Sequence, residues 1–208
     1  MNISFVVGNG ESRRTINVSS LREYGPVWGC NKIYEQFHVD NIVAVDQSIL
    51  ELIVRNGFHF SMNVYTRRRW SPDYNNVPEV KYIPDFKDEG QVKWQKQWHW
   101  NSGPLALFLA CEQGADVVCM FGFDLYGYGG RVNNMYKDTL GYDKSDTKAV
   151  DPGFWISQID QLMKWYPNTQ FVQVQPEGWE IPLMWKSNNN FSLDTFENFF
   201  QTLLGSNI

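Results

Sequence analysis

Residues 3–12, Ile-Ser-Phe-Val-Val-Gly-Asn-Gly-Glu-Ser, constrain the fold more than any other stretch. The run Ile3–Val7 is apolar and rich in β-branched residues, without strict alternation. That pattern suits a strand buried on both faces, as in a parallel sheet. Gly8-Asn9-Gly10 then lets the chain turn at the strand's carboxyl end and bring backbone close to a ligand. In open α/β sheets, ligands bind at the carboxyl ends of strands. A tight turn in which Asn and Gly merely tolerate positive φ accounts for the same residues. The stretch is not GxGxxG and no Walker lysine follows, so no named nucleotide motif is present.

The rest of the chain repeats this punctuation. Pro26–Asn31 reads as a second short strand, Asn41–Asp46 as a third and His59–Tyr65 as a fourth, with a short one at Val80–Ile83. Gln47–Asn56 places Ile49, Leu50, Leu52 and Ile53 on one helical face, with Asp46 or Ser48 to cap it and Gly57 to end it. Ser102 is a good N-cap for a helix in which Pro104 suits the first turn and Leu105–Cys111 is apolar on every side. Asp116–Phe121 reads as a buried strand, Asp151–Pro167 as an amphipathic helix and Gln170–Val174 as the last strand. Ser192 is expected to cap a final helix whose Phe196, Phe199, Phe200, Leu203 and Leu204 form a core stripe. This order predicts a single α/β domain over 1–208, Rossmann-like, with a mostly parallel sheet flanked by helices.

Two sections resist that reading. Arg67-Arg68-Arg69-Trp70 to about Trp98 mixes charge, proline and tryptophan; the arginine run suits either a solvated face or a phosphate or acceptor contact. Gly127–Val150 has weak periodicity, and a loop that long in a compact domain is expected to be a functional lid. The helix opening at Asn101-Ser102-Gly103 offers free backbone N–H groups and a positive dipole end, suited to a phosphate.

Composition excludes several classes. A net charge of −5 argues against nucleic-acid binding through a basic surface. Nine Trp, ten Tyr and 14 Phe supply core and stacking walls for sugars and bases. Cys30, Cys111 and Cys119 are odd in number, lack metal-site spacing and sit in apolar contexts, as reduced core thiols of a cytoplasmic protein would. With Met1 leading directly into a strand, no leader peptide is expected, and no apolar stretch is long enough to span a bilayer.

Gly8-Asn9-Gly10-Glu11-Ser12, Cys30-Asn31, Asn101-Ser102-Gly103 and Gly122-Phe123-Asp124-Leu125-Tyr126 together resemble the ordered motifs of the bacterial lipooligosaccharide sialyltransferases, glycosyltransferase family 42. Related motifs occur in a broader domain group that includes an archaeal pterin diphosphokinase. The resemblance covers roughly residues 1–128. It implies a GT-A-variant-like sheet that binds a CMP-sugar with no metal or separate cofactor. It points to Asn9, Asn31, Ser102 and Gly103 as nucleotide contacts and to Tyr126 as the group that stabilises the leaving phosphate. It further implies a glycan acceptor and a role in surface glycan modification; self-association into a homo-oligomer is left open.

The chain departs from the family in two places. Asn101 replaces the threonine before Ser-Gly, and the lid histidine expected as general base is absent, since His38, His59 and His99 all precede Tyr126. Asp138, Asp143 and Asp146 in the lid are candidate carboxylate bases. Gly8, Gly10, Asp46 and Asn101 are expected to complete the nucleotide pocket, and Tyr128, Tyr136 and Tyr142 to shape the donor or acceptor side. Two other functions fit the same residues: pyrophosphoryl transfer to a small heterocycle, which predicts magnesium and ATP, and a non-catalytic nucleotide-binding module.

Overall fold

A computed structural model describes residues 1–87, 90 and 93–205. In chain order the strands are β1 (Ile3–Val7), β2 (Val27–Cys30), β3 (Asn41–Val43), β4 (Asn63–Thr66), β5 (Val80–Tyr82), β6 (Val117–Phe121), β7 (Gln170–Gln175) and β8 (Phe191–Thr195). The helices are α1 (Gln47–Arg55), α2 (a single turn, Ser71–Tyr74), α3 (Ser102–Glu112), α4 (Gly153–Trp165) and α5 (Phe196–Gly205). The strands form one sheet in the order β5-β4-β3-β2-β1-β6-β7-β8, with every pairing parallel. The expected α/β fold with a parallel-dominated sheet is therefore present. Ile3–Val7 and Val117–Phe121 are interior neighbours, registered from Ile3 against Val117 to Val7 against Phe121.

Successive side chains of a strand face opposite sides, and the core divides accordingly. Val6, Trp28 and Val43 pack with α3 and α4 on one side; Phe5, Val7, Ile42 and Val64 pack with α1 and α5 on the other. α3 is buried along Leu105–Cys111, so it needs no polar face. On the same side Trp100 is fully buried, stacked on Trp165 with ring centroids 5.6 Å apart and planes 8° from parallel. On the other side Phe121 is ringed by Phe196, Phe199 and Phe200 of α5, the core stripe expected from their spacing.

Three expectations need correction. The fourth strand begins at Asn63, not His59; Gly57 at φ 77° ends α1 and leads into a 3₁₀ turn over Phe58–Phe60. Gln170–Gln175 is not the last strand, because Phe191–Thr195 adds β8 at the sheet edge beside it. Ser192 lies in that strand, registered against Val172, and does not cap α5. The Thr195 hydroxyl takes that role, accepting from the Asn198 N–H at 3.2 Å. Phe191 and Leu193 do alternate with Ser192 and Asp194, but the run is short, Leu193 stays exposed at the sheet edge, and the helical phenylalanine stripe follows at once, which masks the strand.

Among the described residues no helix is long and apolar enough to cross a membrane.

Candidate functional site

The chain builds the sheet outward from β1 to β5, then returns to place β6 on β1's other side. This makes the β1/β6 junction the topological switch point, where a crevice opens at the strands' carboxyl ends. Close approach there depends on glycine. A Cβ on Gly8 would lie 2.5 Å from the Gly122 carbonyl oxygen, and Gly122 itself is left-handed at φ 64°. The Gly8 N–H donates to Phe121 O at 2.7 Å and the Gly10 N–H to Gly122 O at 2.8 Å, so the two loops continue the ladder beyond the strands. Asp124 locks them together: its carboxylate accepts from the Ser12 N–H at 2.9 Å and from the Ser12 hydroxyl.

A cavity of about 310 Å³ occupies this crevice, at the lower end of the usual range for small-molecule sites. Gly8, Asn9, Gly10, Asn31, Asp46, Asn101, Ser102, Gly103, Tyr126 and Tyr142 all line it. Of the expected site residues, two are elsewhere. Tyr136 is buried behind the wall, its hydroxyl accepting from Arg13 at 3.2 Å and donating to Gln36 at 3.1 Å. Tyr128 is 84% exposed in a small turn bridged to Arg131, where it shapes no pocket wall.

The start of α3 differs from expectation in an informative way. Asn101 is the N-cap, and its side chain makes no capping bond. Ser102 therefore does not cap; its hydroxyl donates to Asn31 Oδ1 at 2.8 Å and accepts from the Val45 N–H at 3.3 Å. One buried hydroxyl thus ties together the ends of β2, β3 and α3. It holds Asn31, whose φ of 53° is uncommon for a side-chain-bearing residue. The first-turn N–H groups of Ser102 and Gly103 remain uncapped at the cavity wall, where the helix dipole favours an anion. Ser102→Ala should cost about 1–3 kcal/mol, because it strands Asn31 Oδ1 and the Val45 N–H. Chemical denaturation of the two proteins checks this; an unchanged midpoint would mean that neither bond matters.

Tyr126 reaches the cavity from a turn in which Leu125 adopts φ 63°, and its ring lies 6.2 Å from that of Trp179. Burial, and secondarily the charge of Glu180, raise the Tyr126 pKa above its ordinary value. The phenol is thus protonated, and a hydrogen-bond donor, across the neutral range. Cys30 also lines the cavity, but burial pushes its thiol up to about 12, so it is no ready nucleophile.

Residues 127–150 form the roof, and several bonds fasten it down. Asn133 accepts from the Glu11 N–H at 2.9 Å and donates to Tyr126 O at 3.2 Å. The Met135 N–H donates to Asn9 O at 2.7 Å, and Lys137 pairs with Glu11 at 2.6 Å. Asn133, Asn134, Lys137 and Asp143 line the cavity from above, and Trp155 of α4 joins them. Sequence reasoning passed over Asn133, Asn134, Lys137 and Trp155. The roof has no periodicity to say which side chains turn inward. Of the three acidic candidates only Asp143 lines the cavity; the Asp138 carboxylate is occupied by the Ser145 N–H at 2.8 Å. None of the described cavity-lining residues is histidine. Among the described residues, no three His, Cys, Asp or Glu side chains are grouped to hold a metal ion.

No family model matches the chain, and no curated protein matches it by sequence. A solved structure does match: the sialyltransferase CstII from Campylobacter jejuni, in complex with a substrate analogue, cytidine-5'-monophosphate. The TM-score is 0.52 at 15% identity, over 93% of this chain and 85% of that one. The likeness is one of fold: both chains build a Rossmann-like α/β sheet. In such a fold the β1/β6 crevice is where ligands are expected, and the cavity lies there.

Proposed function

We propose that the chain is a glycosyltransferase that uses a nucleotide-activated sugar, a CMP-sugar in the first instance, and needs no metal ion. The observation that carries this reading is the meeting of Asn9, Asn31, Asn101–Gly103 and Tyr126 in one cavity, in a fold similar to that of a sialyltransferase. These residues come from the four sequence motifs that resemble that family.

In this reading the nucleotide lies across the ends of β1, β2 and α3. The Ser102 and Gly103 N–H groups receive the phosphate, while the Ser102 hydroxyl acts indirectly by holding Asn31. The bond from the anomeric carbon to the phosphate oxygen breaks, and the departing oxygen keeps the electron pair. The Tyr126 hydroxyl donates to that growing negative charge. A preorganised neutral donor is effective in a site where water is largely excluded. The acceptor hydroxyl attacks the anomeric carbon and gives its proton to Asp143, the roof carboxylate at the cavity. Residues 127–150 act as the lid that keeps the donor from water.

The test is a nucleotide panel in a thermal-shift assay, with and without magnesium, followed by donor turnover. CMP is expected to raise the melting temperature equally in both conditions. Asp143→Asn should suppress transfer by about a hundred- to ten-thousandfold, the usual worth of a general base, and leave CMP binding intact. Stabilisation by ATP only with magnesium would favour pyrophosphoryl transfer instead. CMP binding without turnover of CMP-, UDP- or GDP-sugars would favour a binding module.

A further inference from the structure

Arg67, Arg68 and Arg69 follow β4 directly, at the same carboxyl edge of the sheet as the cavity. The Arg69 guanidinium lies against two indoles, its central carbon 3.7 Å from the Trp70 ring centroid and 3.9 Å from that of Trp98. Arg67 is 5.2 Å from the Trp98 ring and donates through Nη2 to Trp100 O at 2.8 Å. Its Nε is buried with no hydrogen-bond partner among the described residues.

Among the described residues, no carboxylate forms an ion pair with any of the three arginines. Asp46 acts on Arg67 only through its nearby charge, and the Asp73 carboxylate accepts from Gln47 at 3.1 Å. Two cations are therefore held around one tryptophan, and no carboxylate among the described residues pairs directly with either. Burial, and then the charge of Arg69, lower the Arg67 pKa, as expected for like charges confined together.

The cluster is fastened to both strips of the cavity wall. The Trp70 indole N–H donates to Val45 O at 3.0 Å, and Arg67 bonds the residue before Asn101. Val45, Asp46 and Asn101 line the cavity. Contact with a ring face fixes the guanidinium plane but consumes none of its N–H donors, which lie in the plane. The fork thus stays available for a carboxylate or a phosphate. Trp98 is 47% exposed and offers an aromatic surface beside it.

We propose that Arg67 and Arg69, with the indoles of Trp70 and Trp98, form an acceptor subsite for a sugar that carries an anionic group. This rests on the glycosyl-transfer reading above. The neighbouring cavity takes the donor, and the cluster fixes the acceptor's carboxylate or phosphate at its rim.

The test follows the indole N–H signals in ¹⁵N spectra during titration with glucuronate, glucose 6-phosphate or glucose. The two anions are expected to shift the Trp70 and Trp98 signals saturably, and glucose is not. A stronger response to glucuronate assigns a carboxylate-bearing acceptor, and a stronger response to glucose 6-phosphate a phosphate-bearing one; either supports the subsite. Arg69→Ala should weaken anion binding by about ten- to a hundredfold, the loss of charged hydrogen bonds. Arg69→Lys, which keeps the charge and removes the fork, should also weaken it. Arg22→Ala, which removes an arginine paired with Asp40 away from the site, should change nothing. Equal shifts with glucose, unchanged affinity in Arg69→Ala, or equal loss in Arg22→Ala would overturn the subsite. CMP titrated separately divides the two readings. CMP binding with no anion response overturns the subsite alone, whereas an anion response without CMP binding supports it and removes the nucleotide donor.

Discussion

Replacing Tyr126 by phenylalanine should slow sugar transfer by about ten- to a thousandfold, the range for loss of one preorganised donor. The substitution keeps the ring, and with it the contact to Trp179 at 6.2 Å. It removes only the hydroxyl, a phenol that is protonated in the neutral range and whose pKa burial raises further. If the hydroxyl bonds mainly to the charge that develops on the departing phosphate, nucleotide affinity should barely change while turnover falls. Donor hydrolysis or transfer, measured beside CMP binding, separates these. Equal rates in the two proteins would remove Tyr126 from the chemistry. A fall in affinity as large as the fall in rate would make it an ordinary binding contact.

Trp100→Ala should destabilise the protein by about 3–5 kcal/mol, a drop in melting temperature of roughly 6–20 °C for a chain of this size. Trp100 is fully buried, stacked on Trp165, and met edge-on by Phe86 at 4.7 Å. Removing it opens a cavity among rings that cannot collapse to fill it. The change should also reach the site, because Trp100 precedes the N-cap of α3 and its carbonyl holds Arg67. Calorimetry on the variant checks the first effect. Weaker CMP binding, measured well below the variant's melting temperature, checks the second. Stability within about 1 kcal/mol of the parent would mean that the ring cluster repacks.

The sheet was legible where apolar runs were long and closed by Gly, Asn or Asp. Ile3–Val7 and Val117–Phe121 read as interior strands because both faces are covered, so no polar alternation interrupts them. Phe191–Thr195 was missed because an edge strand in contact with one neighbour can keep exposed polar residues. The candidate site was legible on its strand side, where residues at carboxyl ends must share one edge. The roof was not. Tyr128, Tyr136 and Tyr142 look alike in sequence, yet one faces solvent, one bonds a buried arginine and one lines the cavity. Only tertiary contacts distinguish them. Ser102 opens α3 but does not cap it, although a serine at a helix start usually caps its own helix. Here Asn101 holds that position and the hydroxyl serves other strands.

The central position of β1 also bears on how the chain folds. Its two neighbours come from opposite parts of the sequence: Phe5 pairs with Val27 on one side and with Cys119 on the other. During synthesis the first strand can dock β2 early, but its second edge stays open until more than half of the chain has left the ribosome. Closing so long a loop carries an entropic cost before any contact repays it, and parallel pairings of this kind form slowly. Through that interval an apolar strand keeps one row of backbone donors and acceptors unpaired, which leaves it open to wrong pairing with another nascent chain. The switch-point crevice, which exists only once β6 has docked, is therefore among the last features to form.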